Sequence, residues 1–223
     1  MLPKIIIHNT QSIDGRIDWF TPDVDLYYEI ATQFKEDATL VGSGTILNPY
    51  EEVEIPKEDE SVFEKPQKKP EDSRPILVIP DSRGRIRTWH YLRSLPYWSW
   101  WVALVSIKTP QDYLDYLKKR HIDYIVAGED HVDMKAALEE LGSRYGVKNI
   151  RMDSGGALNG VLLRSGLVNE ISIIIDPTLV GGTSPKSIFR APDLKSVNGV
   201  IKLKLIHFEK MNNDNIWLRY EIL

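Results

Sequence analysis

The sequence predicts an α/β fold with a mostly parallel central sheet flanked by helices and closed by a C-terminal antiparallel hairpin. Two observations carry this prediction. Short apolar runs alternate with stretches of helical periodicity, which is typical of a mostly parallel sheet. The runs at residues 5–7, 76–79 and 171–175 are apolar without alternation, as expected for strands covered on both faces. The tail alternates instead on both sides of residues 211–214, which predicts the hairpin.

Each predicted helix carries its own signal. Leu26, Ile30 and Phe34 recur every four residues, which places them on one helical face. A second helix over residues 110–121 has Pro110 at its start and basic residues in its last turn, and a third over residues 134–146 is closed by a glycine. A fourth helix is predicted over residues 157–166. Strands are predicted at residues 4–10, 38–44, 74–82, 100–106, 123–129, 147–154 and 170–177.

Length and composition predict a single domain over residues 1–223, with a charged, proline-containing insertion or loop at residues 50–75. The absence of cysteine excludes disulfides, thiolate zinc sites and thiol catalysis, and it fits a cytoplasmic protein. A net charge of −4 without a basic stripe argues against nucleic-acid binding. The apolar runs are too short for a membrane span, and the five histidines lack metal-ligand spacing, so we predict neither membrane association nor a metal.

A glycine corner stands between a predicted strand and a predicted helix. Asp153 and Ser154 are followed by Gly155 and Gly156, and the helix begins at Ala157. Backbone N–H groups at a helix start are unpaired and partly positive, and glycines let an anion approach them. A tight turn that needs glycine is the alternative explanation. The side chains expected to point inward from this helix are Leu158, Val161 and Leu162.

Two further motifs follow strands and so lie where open α/β sheets bind ligands. The first holds Gly42, Gly44 and Thr45, and Thr45 could hydrogen-bond a phosphate or ribose; it is not a dinucleotide fingerprint, because the third glycine position is a leucine. The second runs from Asp81 through Arg83 to two more arginines, a spacing that suits a phosphomonoester such as the 2′-phosphate of NADPH. A solvated basic turn explains the second motif equally well.

The end of the first strand supplies polar candidates of its own. Asn9, Ser12 and Asp14 would lie at the ligand edge. Asn9 and Asp14, together with Asp153, are candidates to orient a substrate or relay a proton. Asp14 with Gly15 is also a strong turn dipeptide, which is the alternative role. His8 lies within an apolar strand, and we interpret it as a buried, hydrogen-bonded histidine rather than a ligand.

Taken together, these stretches resemble the reductase family of riboflavin biosynthesis, the C-terminal domain of the bifunctional deaminase-reductase. The resemblance implies a dihydrofolate reductase-like fold. The matching pieces occur in the family's order: SIDGRI, VGSGTIL, VIPDSRGRI, DSGGALNGVLLRSGLVNEISIIIDPTLVGG and the closing hairpin. The fourth piece is the most specific. The resemblance covers nearly the whole chain apart from the insertion and the Trp-rich region around residues 97–101.

The resemblance implies an NADPH-dependent reductase of a diaminopyrimidine ribosyl phosphate, acting in the cytoplasm as a homodimer on a small molecule. It implies that Asn9, Asp14 and Asp153 serve the substrate and the chemistry. The residues it implies for the cofactor, together with those of the arginine motif, are Gly42, Gly44, Thr45, Asp81, Arg83, Gly155, Gly156, Ala157, Leu158 and Asn159.

Two features depart from the family pattern. Asp153 stands where the family commonly has glutamate, and NPYEEVEIPK replaces the family's phosphate-reading stretch. Two alternatives therefore stay open: a pterin reductase of the dihydrofolate reductase type, for which Glu29 is the candidate acid, and a non-catalytic nucleotide-binding homologue. The insertion is interpreted as a solvated loop or as a lid over the substrate.

Overall fold

The computed structural model describes residues 1–47, 54–67, 69, 71–183 and 186–223. The chain forms two compact units. Unit 1 comprises residues 1–3 and 36–148, and unit 2 comprises residues 4–35 and 149–223. The expectation of one domain over residues 1–223 stays a prediction.

The helices and strands alternate along the chain as the sequence predicts. In chain order they are β1 (Lys4–Ser12), α1 (Val24–Ala31), β2 (Ala38–Leu40), α2 (Ser43–Leu47), β3 (Ile76–Pro80), α3 (Trp89–Ser94), β4 (Trp100–Val105), α4 (Gln111–Lys119), β5 (Asp123–Val126), α5 (Met134–Tyr145), β6 (Asn149–Met152), α6 (Gly156–Arg164), β7 (Glu170–Asp176), β8 (Leu203–Lys210) and β9 (Ile216–Ile222).

Unit 1 is built on four parallel strands in the order β5-β4-β3-β2. Its strands are short, and the buried side chains of β3 and β4 pack with those of α3 and α4 into one core. Trp89 and Tyr113 are fully buried there, and the indole N–H of Trp89 donates to the Tyr113 hydroxyl at 3.0 Å. A buried aromatic pair with its polar atoms satisfied stabilises the core without a desolvation penalty.

Unit 2 combines parallel and antiparallel pairing. β6, β1 and β7 are parallel neighbours, β9 lies antiparallel to β7, and β8 lies antiparallel to β9 at the edge. The predicted C-terminal hairpin is thus confirmed. Every residue of β8 is exposed or half-buried, as expected for an edge strand with no further strand beside it in the unit.

The helix ends follow from local side chains. The carboxylate of Asp23 accepts a hydrogen bond from the N–H of Leu26 and caps α1, and Asp133 caps α5 in the same way. Gly146 ends α5 with φ 71°, a conformation that glycine adopts without strain. Leu26 and Ile30 are buried, so the predicted inner face of α1 is confirmed. Among the described residues, no helix is both long and apolar enough to cross a bilayer.

Several local predictions need correction. The sequence analysis missed α3 and read α2 only as a glycine loop. Val161, expected to point inward from α6, is 52% exposed, whereas Leu162 is buried. The residues of the Trp-rich region differ in burial. Trp101 is buried in the core of unit 1, while Tyr97 is exposed.

In the charged insertion, residues 50–53, 68 and 70 lie outside the described part. Its described residues form a loop apart from a short 3₁₀ turn at Glu60–Phe63. The insertion is bound to the end of α4. Arg120, the residue after that helix, donates hydrogen bonds from Nε and Nη2 to the Glu58 carboxylate at 2.7 and 2.5 Å. The carbonyl of Val62 accepts a further hydrogen bond from Arg93. This part of the insertion is therefore held on the surface of unit 1.

His8 is a buried polar group in the middle of β1. It is fully buried, its Nε2 lies 3.1 Å from the Tyr27 carbonyl, and its Nδ1 lies 3.0 Å from the Ser172 hydroxyl. Burial lowers the pKa of His8 to about 3, because the charged imidazolium would lose its hydration. The interpretation of His8 as a buried, hydrogen-bonded histidine is confirmed.

This burial predicts acid sensitivity. The folded-state pKa of His8 lies below its ordinary value of 6.5, so between these values the unfolded chain binds more protons than the folded one. The free energy of unfolding should therefore fall as pH falls from 6.5, with a contribution from His8 of up to about 1.4 kcal/mol per pH unit. The free energy of unfolding, measured by urea titration between pH 5 and 6.5, should depend less steeply on pH in His8→Gln than in the wild type. Equal slopes would contradict this assignment.

Candidate functional site

The glycine corner of unit 2 begins a helix without a side-chain cap. Gly155 occupies the N-cap position of α6 with extended backbone, and it supplies no capping hydrogen bond. The first N–H groups of a helix have no acceptor within the helix. The amides that start α6, from Gly156 to Leu158, therefore present partial positive charge at this end.

The faces of the two helical glycines are covered by the chain itself. A Cβ at Gly156 would overlap the carbonyl oxygen of Ser187, and one at Gly160 would overlap the carbonyl oxygen of Arg190. The N–H of Arg190 also donates to the Gly156 carbonyl at 3.0 Å. These glycines are required for a close approach of backbone to backbone.

A buried asparagine joins this packing to the end of β1. Asn159 is fully buried, and its Nδ2 lies 3.0 Å from Asn9 Oδ1 and 2.9 Å from the carbonyl of Ile188. Asn9 in turn donates to the carbonyl of Ser154 at 3.0 Å. Of the predicted site residues, Asn9 and Asn159 are thus brought together at the glycine corner. Their side chains hold the corner in place.

An open cavity of about 530 Å³ lies beside the start of α6. Its lining is made of residues Ala157, Ser187, Phe189, Arg190, Ala191 and Pro192. Arg190 is exposed, so its charge is accessible next to the uncapped helix end. An arginine and free helix amides are a donor set suited to a phosphate or diphosphate group.

Asp153 is held by a buried arginine that the sequence analysis did not single out. Arg151 is 4% exposed, and its Nη1 donates to Asp153 Oδ2 at 3.1 Å and to the Tyr27 hydroxyl at 3.0 Å. The Tyr27 hydroxyl donates to the carbonyl of His8. Burial raises the pKa of Tyr27 well above its usual range, so the phenol stays neutral. Asp153 is one-third exposed, so the buried arginine orients a carboxylate that solvent can still reach.

Asp14 lies at the turn after β1 and is held by hydrogen bonds. It accepts hydrogen bonds from the Ser12 hydroxyl at 2.6 Å and from the N–H groups of Val180 and Gly181 at 3.1 and 2.6 Å. These bonds, that of Ser12 first, lower the pKa of Asp14 to about 2. The carboxylate is ionised near neutral pH, and it ties the turn after β1 to the loop after β7.

In unit 1, the Gly42–Thr45 motif opens the short helix α2. The carbonyl of Gly42 accepts from the N–H of Thr45 at 3.0 Å, and Gly44 is exposed with no atom within 4 Å of where a Cβ would stand. Arg85 donates to the Ser43 hydroxyl at 3.0 Å, which links the glycine motif to the arginine motif. The two motifs predicted in this unit therefore meet.

Within the arginine motif, the residues differ in availability. Asp81 is 2% exposed and accepts from the N–H of Ile86 at 2.8 Å, so the fold uses its carboxylate to hold the turn after β3. Arg87 pairs with Asp112 at 2.8 Å. Arg83 is exposed and has no ion-pair partner in the part of the chain that the structure describes. Arg83 is therefore the arginine of this motif that is left for a ligand.

Comparison with known proteins places these features in a family. The sequence profile described as RibD C-terminal domain matches residues 3–217. The chain belongs to the RibD C-terminal domain family. The family predicted from the motifs is confirmed, and with it the α/β fold.

Relatives of this RibD C-terminal domain protein are named as reductases. It is 27% identical to a protein of Methanothermobacter thermautotrophicus named 2,5-diamino-6-ribosylamino-4(3H)-pyrimidinone 5′-phosphate reductase, over 97% of both chains. Two solved structures share the fold. A pyrimidine reductase-like protein of Corynebacterium diphtheriae superposes with a TM-score of 0.72 at 18% identity, over 99% of this chain and 92% of that one. Acinetobacter baumannii RibD gives 0.68 at 16% identity, over 100% of this chain and 58% of that longer chain.

The sequence motifs did not point to two parts of this candidate site, which are Arg151 and the segment of residues 186–190. Arg151 carried a signal that could have found it, because a charged residue in a buried strand needs a partner, and Asp153 lies two residues along on the same face. The segment of residues 186–190 carried none, because its place against α6 depends on contacts about thirty residues apart in sequence.

The close packing of α6 predicts an unusual response to alanine. In most helices Gly→Ala is stabilising by about 1 kcal/mol. Gly160→Ala should instead destabilise this RibD C-terminal domain protein by about 1–3 kcal/mol, because the new methyl overlaps the Arg190 carbonyl. Urea denaturation followed by circular dichroism measures the change. The control is Gly44→Ala, where a methyl meets open space; an equal loss in both variants would contradict the packing argument.

Proposed function

We propose that the protein is an NADPH-dependent reductase that reduces the ribosyl group of a diaminopyrimidine ribosyl phosphate. The observation that carries the proposal is the family match combined with relatives named as reductases of such a compound along 97% of both chains. An α/β fold with ligand-edge motifs in both units is consistent with it. Without a cysteine, the chain is suited to the reducing cytoplasm, where we propose that it works.

The cofactor phosphates would meet the donors of unit 2. The uncapped start of α6, the adjacent cavity and the exposed Arg190 fit a diphosphate in charge and in hydrogen-bonding capacity. In unit 1, Arg83 and Thr45 are donors that would suit phosphate or ribose groups, and Gly44 has open space where a side chain would stand. Gly42 stays a predicted part of the same motif. Bound NADPH would supply the hydride, and the protein would orient the reactants and exclude water.

The substrate side would use Asn9 and Asp153. Arg151 directs the Asp153 carboxylate, which can accept hydrogen bonds from amino or hydroxyl groups of a ligand. Asp14, with a pKa of about 2, is ionised at neutral pH and is therefore not proposed as the proton donor. Its proposed role is to hold the loop after β7 beside the turn of β1.

A steady-state assay tests this proposal. NADPH absorbance should fall on addition of 2,5-diamino-6-ribosylamino-4(3H)-pyrimidinone 5′-phosphate. Asp153→Asn should raise the KM for the pyrimidine by about tenfold, because a charged hydrogen-bond acceptor is lost, while the KM for NADPH changes little. Asp130→Asn is the control, since Asp130 is an exposed residue paired with Lys108.

The outcomes separate the alternatives. Turnover of dihydrofolate in place of the pyrimidine would favour a pterin reductase, for which the candidate acid Glu29 lies exposed on α1. Tight NADPH binding with no turnover of either compound would favour the non-catalytic nucleotide-binding homologue, which the acidic NPYEEVEIPK stretch supports. No binding of NADPH would contradict both the proposal and that alternative.

We also propose a homodimer. Support comes from the edge strand β8, whose exposed apolar side chains include Leu205, Ile206 and Phe208. Such an edge favours pairing with a second chain. Static light scattering distinguishes a dimer from a monomer of 25.6 kDa.

A further inference from the structure

Two sequence features have no part in the proposed reaction, and both border one cavity in unit 1. They are the charged insertion and the Trp-rich stretch. The cavity measures about 450 Å³, within the range of small-molecule sites. Its lining is made of residues Lys65, Pro66, Trp100, Lys118, His121, Ile122, Asp123, Tyr124 and Arg144.

The cavity lies at the amino-terminal ends of two strands. Trp100 is the first residue of β4, and Asp123 is the first residue of β5. The predicted ligand motifs of unit 1 instead follow the carboxyl-terminal ends of β2 and β3. The cavity is thus separate from the ligand motifs of this unit.

The insertion forms one wall of the cavity, and two contacts hold the residues that precede this wall in sequence. The carbonyl of Phe63 accepts from His121 Nε2 at 3.0 Å, and the Arg120–Glu58 pair holds the preceding residues. His121 itself adopts a left-handed backbone with φ 54°, at a position after a helix where glycine is usual. Lys65 and Pro66 are therefore placed at the cavity by an ordered segment.

An indole ring forms the second wall, and its orientation is fixed. Trp100 Nε1 donates to Asp123 Oδ2 at 2.8 Å, and the hydroxyl of Tyr145 donates to the same oxygen at 3.0 Å. Tyr124 and Ile122 add aromatic and apolar surface. A flat ring entering the cavity would find an aromatic partner that needs no rearrangement.

Positive charge dominates the rim. Lys65 and Lys118 line the cavity without an ion-pair partner among residues 1–47, 54–67, 69, 71–183 and 186–223. Arg144 adds a third cation, bound weakly to Glu140 Oε1 at 3.4 Å and to the carbonyl of Tyr124. The carboxylate in the lining, that of Asp123, is already engaged by two donors.

We propose that this cavity binds an anion that carries an aromatic ring, such as the phosphomonoester of an aromatic or heteroaromatic compound. The ring would lie against Trp100, and the phosphate would meet Lys118, Arg144 and Lys65. The site is independent of the proposed reductase reaction.

Phenyl phosphate tests the proposal with the full chain and no cofactor. Two-dimensional ¹⁵N NMR should show saturable shifts of the Trp100 indole N–H and of the amides of residues 118–124, with a Kd below about 1 mM. Lys118→Glu should weaken binding by about tenfold. The control is Lys135→Glu, which makes the same charge change in the same unit, on an exposed residue of α5 that does not line the cavity; its Kd should stay within about twofold.

Three results would overturn the proposal. The first is the absence of saturable shifts at these residues. The second is an equal effect of the two lysine substitutions, which would indicate general electrostatic attraction. The third is an equal affinity for inorganic phosphate, which would show that the ring contributes nothing. Arg144→Gln provides a second variant, expected to weaken binding severalfold, should Lys118→Glu fail to fold.

Discussion

The close contact between α6 and the chain at residues 187–190 is the constraint on which the functional corner of unit 2 depends. Two glycines on one helical face remove the side chains that would otherwise separate the two backbones. The N–H of Arg190 then bonds to the Gly156 carbonyl, and Asn159 bonds to the carbonyl of Ile188. The Gly-Gly sequence is thus explained first by packing of the protein on itself.

This packing and the proposed anion binding would use different parts of the same helix. The chain at residues 187–190 covers the side of the helix that carries the two glycines. The amides at the helix start point along the helix axis instead, and the N-cap residue Gly155 makes no side-chain hydrogen bond to them. The same contact carries Arg190 to the cavity beside that helix start. The glycines of α6 therefore serve the approach of residues 187–190, and the phosphate site proposed at the corner would use the backbone amides.

The strands were predictable because short, continuous apolar runs have few other interpretations. The helix α3 was missed because its sequence, WHYLRS, is rich in aromatic residues of modest helix propensity. The inner face of α6 was misread because bulky residues were assumed to point inward, whereas contact with distant backbone selected Gly156 and Gly160. Only tertiary structure reveals such a choice.

The acids of the candidate site show the same limit. Asp14 and Asp81 both follow strands, which is where ligand-binding acids are expected, yet their carboxylates accept hydrogen bonds from backbone N–H groups of the fold. The backbone partners of Asp14, Val180 and Gly181, lie more than 160 residues away in sequence, so a local pattern does not reveal them. Asp153 differs because its partner, Arg151, leaves it accessible to solvent.

The most direct test of the account is the response of the α6 amides to NADPH. In ¹⁵N NMR titrations, the account predicts that the largest backbone shifts in unit 2 fall on Gly156, Ala157 and Leu158, with the Arg190 amide kept in its bond to Gly156. Binding that leaves these three amides unshifted, or that releases the Arg190 amide, would contradict it.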